Sequence, residues 1–306
     1  MKLTIKHQLL IGCGLVLLSL SHWFPIGINL LELLGAFAHF TLMLSILVLL
    51  ASAVKRLWVL TAASFISVIL CAMLVAPHFS SIDKSNDVDI TIGQFNLYHH
   101  NPSPELALTQ ISELNADVIS IQELNSDWSG LVDSIIRPNY PYSVEEPWSN
   151  CCYGTGLYSK YPLTSAEVKS HDGIPVVYAE VNVGETIVRV ISLHTFTPVF
   201  PNQTEERNRS LKAIAEFVMH EGNPSIVFGD FNIVPWEKTF QNFLQTGGLT
   251  EVACGFQATY PVDLGFPLIP IDHINYTAEF EPTNCGSMSI SGSDHKAIYA
   301  SFKLKD

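Results

Sequence analysis

Charge is what this chain has least of. Only 15% of its 306 residues are Asp, Glu, Lys or Arg, where an ordinary soluble domain carries about a quarter. Basic residues are the scarcer kind, 16 against 29 acidic, for a net charge of −13. No basic stripe marks any segment, and basic residues do not interleave with aromatics. The electrostatic footprint of a tight nucleic-acid binder is therefore missing. Cysteine is also sparse, at six. Cys151 and Cys152 are adjacent, but no second pair at ligand spacing supports a metal or redox motif. There are no internal repeats and no low-complexity tracts.

The chain does have long hydrophobic runs, and they sit at one end. Before residue 81 the only Asp, Glu, Lys or Arg residues are Lys2, Lys6, Glu32, Lys55 and Arg56. Residues 9–23, 30–54 and 58–77 each approach the ~20 apolar residues of a bilayer-spanning helix, so three transmembrane α-helices are expected. No small-x-small cleavage site makes the first run a signal peptide. Lys2 and Lys6 precede the first run and Lys55 and Arg56 separate the second from the third. The positive-inside rule then puts the N-terminus in the cytoplasm and everything after the third run outside. Glu32 reads as interfacial. Without convergent polar residues the spans form an anchor, not a transport path.

Residues 1–80 thus read as a membrane anchor and 81–306 as an outer domain of 12 basic and 28 acidic residues, net −16. Its four cysteines suffice for two disulfides in an oxidising compartment, Cys254–Cys285 among the pairings to expect. Connectivity stays open.

After a polar linker at 80–88, the outer domain alternates buried strands with helices. Strands are expected at 89–97, 117–124, 154–159, 176–183, 185–193, 226–232, 271–276 and 297–304. A proline-led helix opens near 102–105, an amphipathic one covers 205–220 and a third lies near 236–244. Arg207 and Arg209 read as solvated, with a phosphate at that helix start a weaker reading. The sum is a layered α/β sandwich.

The ends of these strands are polar: Asn96, Glu123, His194, Asp230 with Asn232, and Asp272-His273. Ser293-Asp294-His295 precedes the last strand. A carboxylate ending an apolar strand is costly unless it pairs or binds metal or substrate. Each alone could be a cap or an Asx turn; six such clusters converging by chance is improbable. Alternate strand residues share a face, so Asp230 and Asn232 point to one pocket. A carboxylate beside an amide suits a hydrated Mg²⁺ and a phosphoryl oxygen. His99 and His100 face opposite sides and read as rim residues, His273 as structural, and Trp128, Trp148 and Trp236 as buried.

The set QFN, IQEL, GLYSKYPL, SLHT, GDFN, IDHI and SDHKAI, in this order over 89–304, resembles the endonuclease/exonuclease/phosphatase superfamily, whose best-known members are deoxyribonuclease-I-like. The likeness is closest to bacterial members with an N-terminal membrane anchor. It implies a four-layer α/β sandwich and one Mg²⁺-dependent phosphoester-cleaving site, with Mn²⁺ as a substitute. By the same resemblance Asn96 and Glu123 are metal-side residues, joined by Asp294. His194 stabilises the transition state or acts as an acid. Asp230 and Asn232 position the water and the phosphate. Asp272 orients a neighbouring histidine or the metal, and Asp294 holds His295 in its useful tautomer.

The expected protein is a phosphodiester hydrolase of the bacterial inner membrane, multi-pass, with its catalytic domain in the periplasm. Its substrate is a nucleic acid or a phospholipid-type headgroup, and no obligate protein partner is evident. The alternative is a catalytically silent scaffold on the same fold; against it, every expected position is filled.

Overall fold

In the computed structural model, which describes residues 3–23 and 34–305, residues 81–305 form two mixed six-stranded sheets packed face to face. The first sheet is ordered β11-β12-β1-β2-β4-β3: Phe280–Ser289, Lys296–Leu304, Ile90–Asn96, Val118–Gln122, Thr155–Ser159, Tyr142–Glu146. The second is β5-β6-β7-β8-β10-β9: Leu163–His171, Ile174–Val183, Thr186–His194, Ser225–Asp230, Asp272–Tyr276, Thr250–Glu251.

Period-two alternation decides which side chains meet. Ile90, Ile92, Val118, Val188, Val190, Ile226 and Phe228 fill the space between the sheets. Phe95, Ile119 and Ile121 turn outward onto α4 (Pro104–Leu114) and the helical turns before Tyr140. Ile191, Leu193 and Val227 turn outward on the other side, onto α5 (Pro201–Glu221) and α6 (Lys238–Gly247). Helix, sheet, sheet, helix gives the four layers.

Two neighbouring pairs are parallel, β1 with β2 and β7 with β8. Parallel strands end at the same edge, so Asn96, Gln122, His194 and Asp230 all emerge at one end of the sandwich. Antiparallel β10 begins there, with Asp272 paired to Asp230, and β12 begins just after His295. This topology brings the polar strand ends together. Their bounds differ slightly from expectation, since β2 stops before Glu123 and β8 stops at Asp230. Asn232 reaches the pocket through a turn at φ +48°, not through strand alternation. Four strands were not legible, β3, β5, β9 and β11, the edge strands of the two sheets. β3 and β5 are edge strands with mostly exposed or half-buried residues, and edge strand β11 carries a register shift between Pro282 and Asn284.

Among the described residues, the N-terminal unit has three apolar helices, α1 (Ile5–Ser21), α2 (Ala38–Val54) and α3 (Trp58–Val75). A short turn (Ala76–Phe79) extends α3, and the resulting Trp58–Phe79 helix is, among the described residues, the only one long and apolar enough to cross a bilayer. α1 and α2 have 17 residues each, about 26 Å, short of a ~30 Å hydrocarbon core. Of the three spanning helices expected, one has spanning length among the described residues and the other two are shorter. Glu32 and residues 30–33 of the expected second span lie outside the described residues.

Small hydroxyls let the three helices approach closely. Ser67 bonds Ser19 at 2.5 Å and Ser45 at 2.6 Å, and Ser52 meets Thr61 at 3.0 Å. These contacts make α1 parallel to α3 and α2 antiparallel to both. Lys6, Lys55 and Arg56, all exposed, therefore share one end of the unit. The opposite end packs on the sandwich through Ala36, Ala38 and Val75 against Val234, Trp236 and Ile271. There Trp236 Nε1 donates to the Gly35 carbonyl at 2.8 Å.

Candidate active site

Gly229 sets the floor. Its φ is +147°, and a Cβ there would stand 1.9 Å from the Leu193 carbonyl oxygen. Only glycine lets β8 close on β7 here and turn the next carboxylate into the gap between the sheets. Asp230 is buried, with Oδ1 accepting from the Asn232 N–H at 2.9 Å and Oδ2 from Asn96 Nδ2 at 3.0 Å. Nε2 of His194 lies 3.6 Å from Oδ2, and Nε2 of His295 lies 3.7 Å from it. Burial, then the like charge of Asp272, pushes the Asp230 carboxyl up to about 7.

His295 is held from behind. Its Nδ1 lies 2.9 Å from Asp272 Oδ2, while Gln94 Nε2 donates to Asp272 Oδ1 at 2.8 Å. Burial opposes a charge on the imidazole, but Asp272, with Asp230 and Asp294, outweighs it and raises His295 to about 10. Burial would raise the Asp272 carboxyl too, yet the imidazolium beside it holds it below the usual range. The structure corrects one assignment here: Asp272, not the adjacent Asp294, orients His295.

Asp294 instead faces the pocket, and its Oδ1 is buried with no hydrogen-bond partner. Glu123, at φ +59°, faces the same pocket. Its Oε2 accepts from the His99 N–H at 2.6 Å and its Oε1 from Asn96 Nδ2 at 3.3 Å. Burial raises both carboxyls. Two desolvated carboxylates, one with an orphaned oxygen, fit a hard divalent cation. The Asn96 oxygen accepts from the Tyr98 N–H at 3.0 Å, so in this rotamer Asn96 bridges Glu123 and Asp230 through its nitrogen. Donor atoms of Asp230, Asp272 and His295 also lie within 4.8 Å of one another. Both Asp272 oxygens are already hydrogen-bonded there, which makes this group a proton-handling relay in preference to a cage.

His194 is buried; burial, then the nearby His295, lowers it to about 3, so its imidazole is neutral. Asn232 donates from Nδ2 to the Thr195 carbonyl at 2.8 Å, and Arg207 Nη1 donates to the Asn232 carbonyl at 2.8 Å. Arg207 is 1% exposed, so the reading of it as solvated is corrected: the guanidinium fixes the turn that carries Asn232. His273 lies on the far face between Glu251, at 2.7 Å, and the Ile233 carbonyl, at 2.8 Å, a structural position. Cys254 and Cys285 form a disulfide, while Cys151 and Cys152 are free.

Sequence reasoning missed Gln94 and Gln122, hydrogen-bonded to each other at 2.9 Å between the sheets. Their signal was an amide at an inward position of an apolar strand. It also missed Tyr260, whose ring lies 4.7 Å from that of His295, and Ala36, which lines the same pocket of about 190 Å³.

The model of the Endonuclease/Exonuclease/phosphatase family matches residues 93–295. A search of the curated proteins finds no match. Among solved structures, D. rerio TDP2 in complex with a single-strand DNA product superposes with TM-score 0.59 at 17% identity, over 70% of this chain and 99% of that one. A mutant beta toxin of Staphylococcus aureus with bound magnesium ions gives 0.56 at 18% identity, over 70% and 99%. Sphingomyelinase C of Streptomyces griseocarneus gives 0.51 at 18%, over 69% and 98%. At these identities the likeness is one of fold.

Proposed function

This chain belongs to the endonuclease/exonuclease/phosphatase family, and on that premise we propose that it is a Mg²⁺-dependent phosphodiester hydrolase anchored in a bacterial inner membrane, its site outside the cytoplasm. The observation that carries the chemistry is one pocket holding two halves. Asp230 and His295, the latter held from behind by Asp272, share it with the carboxylates of Glu123 and Asp294.

Glu123 and Asp294, with Asn96 on rotation of its amide, would hold the Mg²⁺, or Mn²⁺ in its place. When bound, the cation neutralises charge on the phosphate's non-bridging oxygens and on the departing oxygen. The chain's own groups do the rest. Asp230, raised to about 7, is matched to taking a proton from the attacking water near neutrality, unlike an ordinary carboxylate near pKa 4. Asn96 and Asn232 brace it with amide hydrogen bonds. His295, kept cationic by Asp272, offers its Nε2–H to a phosphoryl oxygen where charge develops. His194 is neutral and serves as a hydrogen-bond donor; its low pKa argues against the acid role the resemblance allowed.

Support for the anchor comes from the helical unit. Its outer faces expose Leu10, Leu47, Leu50, Phe65 and Met73, and Lys6, Lys55 and Arg56 lie at the end away from the sandwich, as the positive-inside rule requires of an outward-facing domain. A disulfide at Cys254–Cys285 suits an oxidising compartment.

The test is turnover of methyl p-nitrophenyl phosphate by the full chain in nanodiscs, with Mg²⁺ and with chelator, alongside Asp230→Asn and His295→Ala. Metal-dependent turnover lost by at least a hundredfold in both variants is expected. Equal rates with chelator, or in either variant, would refute the assignment.

A further inference from the structure

The pocket has two unlike halves. Its floor is polar, made of Glu123, His194, Asp230, Asn232, Asp294 and His295. Its wall is aliphatic: Val199, Val234, Ile269 and Ile271 from the sandwich, and Ala36 from the helical unit. Ala36, Val234 and Ile271 also belong to the cluster that joins the two units, so the wall continues into the helices. Among the described residues, no Lys or Arg lines the pocket. A nucleic-acid strand, which brings a phosphate on either side of the scissile one, finds no counter-charge there.

The mouth is apolar as well. Val199 and Phe200 are 60% and 58% exposed on one rim. On the other, residues 260–269 form a loop closed by reciprocal hydrogen bonds between Tyr260 and Ile269, at 3.0 and 2.8 Å. Its tip presents Leu264 and Phe266, 64% and 61% exposed. Single exposed apolar residues are common. Here, both pairs lie on segments that reach one pocket, through Val199 and through the loop ends Tyr260 and Ile269, and Ala36 of the helical unit lines it too.

We infer that the helical unit is a wall of the substrate site, and that the site takes an amphipathic phosphodiester from the bilayer, its phosphate on the polar floor and its first methylenes along Ala36, Val199, Val234, Ile269 and Ile271. This rests on the hydrolase reading above. The reaction is that hydrolysis: water adds to phosphorus, the bond to the departing oxygen breaks, and the departing oxygen gains a proton.

The test uses the full chain in nanodiscs with a homologous series of p-nitrophenyl phosphodiesters, from methyl to octyl, below their aggregation concentrations and with partition into the discs measured separately. A buried methylene is worth up to about fourfold in an equilibrium, so kcat/KM is expected to rise about twofold to fourfold per methylene over the first four. Ala36→Trp and, as a second variant, Ile269→Ser are expected to lower the octyl-to-methyl ratio at least tenfold; circular dichroism and thermal melting report folding. A flat series, an unchanged ratio in both variants, or a dinucleotide preferred to the octyl ester overturns the inference. Failure of the methyl ester itself, with Mg²⁺ present, would instead overturn the hydrolase reading.

Discussion

Asp272→Asn is the substitution whose consequence follows most directly from the geometry. Asparagine keeps the shape of the side chain and can still accept from Gln94 Nε2, now 2.8 Å from Oδ1. Its other terminus becomes an N–H donor facing His295 Nδ1, where Asp272 Oδ2 now stands at 2.9 Å. The ring must then accept at Nδ1 and carry its only proton on Nε2, and the imidazolium loses its nearest counter-charge. Losing a charge-assisted hydrogen bond costs about 1.5–3 kcal/mol of stability. Asp230 remains 3.7 Å from Nε2, which keeps the loss toward the lower figure. The kinetic loss is larger, because a proton donor stripped of its charge forfeits roughly 10²–10⁴ in rate, or about 3–5.5 kcal/mol of barrier. The assay is a double-mutant cycle of Asp272→Asn with His295→Gln, read in kcat on the methyl ester. If Asp272 acts through His295, the double variant is no slower than His295→Gln alone. Losses that multiply would show that Asp272 acts separately, and would refute the relay.

Three further outcomes follow from other parts of the structure. Gly229→Ala puts a Cβ against the Leu193 carbonyl at a φ that L-residues avoid; an urea-melt loss of at least ~2 kcal/mol is expected, at the level of a strained backbone, and wild-type stability would contradict it. Glu123→Gln removes one of two desolvated carboxylates, and should weaken Mg²⁺ binding by calorimetry at least tenfold while the fold survives; unchanged affinity would move the cation elsewhere. Glu251, between His78 and His273, has its pKa lowered to about 2 although burial opposes this, and His273 is raised by the same contact. A depressed carboxyl stabilises above its unfolded value and loses that contribution as pH falls from about 4.5 toward about 2. A raised histidine contributes fully below about 6.5 and loses it at higher pH. The stability difference between wild type and Glu251→Gln should therefore peak near pH 4.5–6.5, at about 2 kcal/mol; a flat difference across pH 2–8 would contradict the pairing.

Much of the frame was legible from the sequence for a physical reason. β1, β2, β7 and β8 are central strands buried on both faces, so they read as apolar runs despite interior polar residues such as Gln94, Ser120 and Ser192, and the polar residues at their ends pointed to a site. The helices declared themselves through periodicity and proline. Edge strands β5 and β11 did not, because half of each meets solvent and Pro282 and Gly286 mimic a loop. The partner of His295 was hidden because Asp272 lies 23 positions away on a strand of the other sheet, and only the packed sandwich makes them neighbours. Arg207 was misread since a helix start says nothing of what the helix covers. Ala36, a small residue in an apolar run, carries no chemical signal at all. Its role exists only where the helical unit meets the pocket.

The most direct test of the central claim is hydrolysis of the methyl ester by the full chain in ¹⁸O-labelled water, with the products read by mass spectrometry. The account predicts one ¹⁸O in the methyl phosphate and none in the p-nitrophenol, appearing with Mg²⁺ and vanishing with chelator. Label in the phenol, or label in the phosphate that persists under chelator, would contradict it.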